Sequence, residues 1–184
     1  MRFLSSTSFK CKQNPNLTLL SIRYISNVSK SFYVSVTKEF WYLRYLKEKV
    51  SLSDGEEREL YKKLIHNSKH NLEMLCLRDL ETFDRIKKSF EDFLIVVKDF
   101  ENSKNQNLLS IGCISTVNTY FYVSVTKEFW YLHYLGFKIL DVPWEKIEFY
   151  QTLFITCKDD LEVIRKEDPE TFDRIKSSFK CIIF

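Results

Sequence analysis

The chain has 184 residues, 45% of them hydrophobic and 16% aromatic, with 28 Lys and Arg against 25 Asp and Glu. This composition excludes a disordered polar chain. A net charge of +3 is too small to mark a nucleic-acid domain, which carries a strong basic stripe; here cations and anions are interspersed. There is no alanine, and there are only three Gly and three Pro, so packed helices must interlock through bulky side chains.

The N-terminal 38 residues contain no Asp or Glu but include Arg2, Lys10, Lys12, Arg23, Lys30 and Lys38 among many serines. A basic, acid-poor, Ser-rich stretch is the composition of a mitochondrial presequence, and Arg23-Tyr24-Ile25-Ser26 resembles an arginine-directed processing site. Residues 105–127 are equally acid-free, however, so part of this signal belongs to a repeat. The composition therefore fits a mitochondrial protein and a cytoplasmic one equally. Cys11, Cys76, Cys113, Cys157 and Cys181 form no C-x-x-C pair and are odd in number. They read as reduced, small apolar residues of an intracellular protein. The uncharged run 105–126 is too rich in Asn, Ser, Thr and Gln for a membrane span.

One segment occurs twice, without gaps, at an offset of 89. Phe32 to Leu43 reads FYVSVTKEFWYL and returns unchanged as Phe121 to Leu132; Glu81 to Lys87 returns as Glu170 to Lys176. The reading is a tandem duplication: a basic segment at 1–18, repeat 1 at 19–100, a polar linker at 101–107, and a shortened repeat 2 at 108–184.

Within repeat 1, Tyr24, Val28, Phe32, Val36, Phe40, Leu43 and Leu46 step by three or four, as do their counterparts from Cys113 to Leu135. This predicts a long helix. Tyr33, Trp41, Tyr42 and Tyr45 make it apolar nearly all round, so it should be central. A competing strand at Phe32–Thr37 follows from its aromatic and β-branched residues. A second helix is expected after Ser53-Asp54-Gly55, with Asp141 as cap and Pro143 in the first turn of its counterpart. A third should open at Asp79, and at Asp168-Pro169 in repeat 2. The expected fold is all-α: two tandem three-helix units that either fold separately or, as the favoured arrangement, pack face to face with approximate two-fold symmetry, as in a homodimer.

Candidate chemistry is thin. His66 and His70 have helical metal-ligand spacing, but Ile155 and Asp159 replace them in repeat 2, so they read as solvated. His133 stands where repeat 1 has Arg44, which suggests a tolerant surface position. Asp84-Arg85 and Asp173-Arg174 are expected to pair with Lys38-Glu39 and Lys127-Glu128. With three glycines no phosphate loop is available, and neither a metal nor a cofactor signature is found; an enzymatic role has no positive support.

The unchanged block points to a partner-binding surface formed by Lys38, Glu39, Trp41, Tyr42, Lys127, Glu128, Trp130 and Tyr131, with the aromatics as anchors. A recent duplication with no time to diverge explains the identity as well. The favoured function is a non-catalytic helical interaction or scaffold protein, binding a protein partner or itself. A nucleic-acid binder using the cations and aromatics of the first helix is one alternative, and a small mitochondrial enzyme or complex subunit another.

Overall fold

A computed structural model describes residues 29–101 and 117–179, with side chains in the first stretch described as far as residue 92. The segment 1–18, most of the acid-free stretch that matches a presequence in composition, most of the linker, Tyr24, Val28, Cys11, Cys113 and Cys181 lie outside the described residues. The rest is all-α: α1 (Lys30–Leu52), α2 (Gly55–Arg78), α3 (Leu80–Glu101), α4 (Thr119–Asp141), α5 (Trp144–Glu167) and α6 (Pro169–Ser178). Phe32–Thr37 lies inside α1. The strand preference of its aromatic and β-branched residues yields to the 3.6-residue apolar period that continues after it.

Local sequence explains several helix starts. Asp79 accepts a hydrogen bond from the backbone N–H of Thr82, and Asp168 from that of Thr171, each at 3.0 Å. Pro169 follows in the first turn of α6, where its missing N–H is of no consequence. At α4, the Asn118 side chain caps the N–H of Tyr120 at 2.9 Å. Two expectations need correction. Asp141 closes α4 instead of capping α5, and Pro143 precedes the first residue of α5. In repeat 1, Asp54 stands at the cap position of α2 without a side-chain bond. The turn there depends on Gly55, whose φ of +53° lies in the left-handed region that a Cβ disfavours.

Each repeat is a three-helix unit. Helix α1 packs on α2 and α3, α4 packs on α5 and α6, and α1 also packs against α4. The two first helices are therefore covered from several sides, as their nearly all-round apolar character requires. Phe32, Tyr33, Val36, Trp41, Tyr42, Tyr45 and Leu46 of α1 share one continuous core with Tyr122, Val125, Phe129, Trp130, Tyr131, Tyr134 and Leu135 of α4. Around them, Tyr61, Leu64, Leu72 and Leu75 of α2 and Tyr150, Leu153, Cys157 and Leu161 of α5 complete it. The repeats thus bury one core jointly. No helix among the described residues is long and apolar enough to cross a membrane.

Candidate functional site: the junction of the two repeats

The unchanged block lies where α1 meets α4. Trp41 and Trp130 are 0% and 1% exposed, and their rings stack at 5.9 Å and 24°. They occupy equivalent positions, so this contact lies on the pseudo-two-fold axis. The contacts around it come in equivalent pairs. Trp41 packs on Tyr134 at 5.4 Å, and Trp130 on Tyr45 at 5.0 Å. Phe40 meets Phe83 and Phe90, both at 5.4 Å, just as Phe129 meets Phe172 and Phe179 at 5.4 and 5.3 Å. With no Ala in either helix and Gly136 of α4 the one Gly between them, the large rings set the separation and fill it by interlocking. Stacked and tilted arrangements with centroids at this separation suit the ring quadrupole, at about 0.5–1.5 kcal/mol per pair beyond burial.

Polar groups follow the same rule. Lys38 forms an ion pair with Glu128, and Lys127 with Glu39. Each ammonium also lies 5.2 Å from an aromatic centroid of the other repeat, Lys38 over Tyr131 and Lys127 over Tyr42. The expected pairing of these charges with Asp84-Arg85 and Asp173-Arg174 is therefore replaced by pairing across the junction. Arg85 instead pairs with Glu81 on its own helix.

Tyrosine hydroxyls form a cluster on each side of the tryptophan pair. Tyr33 is hydrogen-bonded to Tyr134 (3.2 Å) and Tyr150 (3.1 Å); equivalently, Tyr122 is bonded to Tyr45 (3.1 Å) and Tyr61 (3.4 Å). Thr37 joins Tyr131 at 3.3 Å, and Thr126 joins Tyr42 at 3.4 Å. Burial raises the pKa of Tyr33 to about 12 and pushes Tyr45, Tyr134 and Tyr150 well above the ordinary phenol value. These hydroxyls stay protonated and serve as paired donors and acceptors in an apolar core, where leaving one without a partner is costly. They are not poised for acid–base chemistry.

All eight residues of the expected partner surface are brought together, but facing one another. Trp41, Tyr42, Trp130 and Tyr131 are at most 2% exposed, so their contacts are made inside the chain. The two glutamates differ in what else they accept. Glu39 takes hydrogen bonds from Ser68 (2.9 Å) and Asn71 (3.2 Å). Glu128 takes one from the Cys157 thiol at 3.2 Å, whose pKa is raised by burial and then by the Glu128 charge.

His66 and His70 lie exposed on α2, and His70 is 3.8 Å from Glu73. Among the described residues no group of three or more His, Cys, Asp and Glu is placed to hold a metal ion. His133 is the clearest correction. It is partly buried and packs against Trp130 (5.2 Å), Trp41 (6.4 Å) and, edge-on, Phe137 (4.5 Å). Burial, and then the nearby Arg44 charge, lower its pKa to about 4. Two lysines also escaped sequence reading. Lys49 and Lys138, at equivalent positions near the ends of α1 and α4, are 6% and 8% exposed, and burial lowers the Lys138 pKa to about 8. The available signal was their identity in both repeats, on helices otherwise predicted to be central.

No family model, curated protein or solved structure matches the chain.

Proposed function

We propose that this protein is a helical interaction or scaffold protein, in which the unchanged aromatic block serves to pair the two repeats. One observation carries the reading. The charged and hydroxyl groups that would be candidates for chemistry at the block are committed to reciprocal contacts across the junction. Lys38 and Lys127 are held by glutamates and aromatic faces, which leaves them poorly placed to contact a phosphate backbone and weighs against the nucleic-acid reading.

With the block occupied, the groups offered to an outside protein lie on the outer faces. Leu77 near the end of α2 is 81% exposed and Trp144 at the start of α5 is 78% exposed; aromatic and large apolar side chains anchor protein contacts most effectively. The location remains that expected from composition, mitochondrial or cytoplasmic, and N-terminal sequencing of the protein from fractionated cells distinguishes them.

Affinity capture with quantitative mass spectrometry tests the function, comparing wild type with Leu77→Glu and Trp144→Glu. The reading expects a specific protein that one of these substitutions removes, with helicity and melting temperature unchanged. An identical captured set for all three chains contradicts it. So does salt-sensitive co-purification of nucleic acid.

A further inference from the structure

We propose that the face by which α1 and α4 meet is a self-complementary docking surface that also accepts a second copy of this chain, second repeat to second repeat. The argument rests on the contact pattern and is independent of what the outer faces bind. Lys38 and Lys127 occupy equivalent positions, as do Glu39 and Glu128, and the ion pairs join Lys38 to Glu128 and Lys127 to Glu39. Each pair therefore links unlike positions of the two repeats. When two identical copies of one repeat face each other with the same symmetry, both pairs re-form, Lys127 of each chain against Glu128 of the other.

The remaining contacts transfer in the same way. Thr126 meets Tyr42 in the chain and would meet Tyr131 of another copy, because position 131 repeats position 42. Tyr122 meets Tyr45 and Tyr61, and Tyr134 and Tyr150 stand at the equivalent places. The tryptophan contact is already like with like.

The flank of the tryptophan pair decides which repeat pairs with itself. Arg44 lies 4.8 Å from the Trp41 ring, and His133 flanks Trp130. Two first repeats would bring two guanidinium groups to this flank, whereas two second repeats bring two imidazoles that are neutral at pH 7. Like charges at a docking face select against that pairing. In the wild-type chain, repeat 1 is covalently tied to repeat 2 and competes for the face at an effective concentration on the order of millimolar. The second copy is thus the minority occupant in dilute solution.

The test inverts the charge order in one repeat. In K127E/E128K, Lys38 faces a second cation and Glu39 a second anion within the chain, while a second-repeat pair between copies keeps unlike charges at both places. Light scattering over a concentration series is expected to show dimers of K127E/E128K at concentrations about tenfold or more below those at which the wild type associates. Adding K38E/E39K restores the within-chain pairs and should return the wild-type behaviour. E128K alone sets like charges both within the chain and between second repeats, so it should keep the mass of one chain. The proposal is overturned by a K127E/E128K chain that stays helical at single-chain mass, by a quadruple variant that remains dimeric, or by an E128K chain that dimerises as strongly. If K127E/E128K loses its helical signal, the wild type decides. Refolded from denaturant at graded concentrations, it should yield a dimer fraction that rises toward the millimolar range, and absence of dimer throughout overturns the proposal.

Discussion

The two repeats present the same face to each other and differ on its flanks. In repeat 1, Arg44 covers Trp41 and pairs with Glu48 one turn on, at 3.3 Å. At the same two positions in repeat 2, His133 meets Phe137 edge-on at 4.5 Å. An ion pair has been exchanged for an aromatic pair at the same helical spacing, and the tryptophans between them stay stacked. Likewise Ser68 and Asn71 support Glu39, where Cys157 supports Glu128. A symmetric junction tolerates such exchanges beside it because it is defined by its own reciprocal contacts. An exchange within it would break a contact in both directions.

Substitutions at equivalent positions probe this comparison. The largest effect is expected for the tryptophans: Trp41→Ala and Trp130→Ala should each destabilise by about 3–5 kcal/mol, a large share of a total stability of about 5–15 kcal/mol. Denaturant titration should show losses of similar size, since the two rings share one contact; a strongly one-sided loss breaks the symmetry of the account. Smaller and again matched effects are expected for Tyr33→Phe and Tyr122→Phe. Each removes two hydroxyl–hydroxyl hydrogen bonds, about 0.5–1.5 kcal/mol apiece.

The flanks should behave differently from one another. The His133 pKa is lowered to about 4 in the folded chain against about 6.5 unfolded, so folding favours the neutral ring. The stability that depends on that neutrality is present above pH 6.5, is lost as pH falls, and is gone by about pH 4. The slope approaches about 1.4 kcal/mol per pH unit. His133→Gln should flatten thermal stability between pH 6.5 and 5, whereas Arg44→Gln should leave that slope in place or reduce it only slightly. The smallest effect belongs to the first turn. Gly55→Ala should lower the melting temperature through about 1 kcal/mol of left-handed backbone strain, with no change in the junction.

Much of this was legible in the sequence, and for local reasons. The apolar period marked the helices, Asp79 and Asp168 marked the third-helix starts, and the nearly all-round apolar character of the first helix required central placement. Identity at an 89-residue offset suggested homodimer-like packing. What escaped reading depends on the crossing of α1 and α4. Lys38 finds Glu128 across the junction, 90 residues away, and not the third helix of its own repeat. An Arg-to-His exchange looks like a surface change along the chain, yet Trp41 of the other repeat helps to enclose His133. Trp and Tyr side chains suited to a partner's pocket are equally suited to the chain's own second repeat, and spacing alone cannot separate the two.

The central claim, pairing of the repeats through their identical block, is tested most directly by nuclear Overhauser contacts between tryptophan rings. With indole protons labelled and assigned by substitution, the account predicts cross-peaks between Trp41 and Trp130, and none linking either to the exposed Trp144. A helical, monomeric chain in which the Trp41 and Trp130 signals are both resolved but share no cross-peak would contradict it.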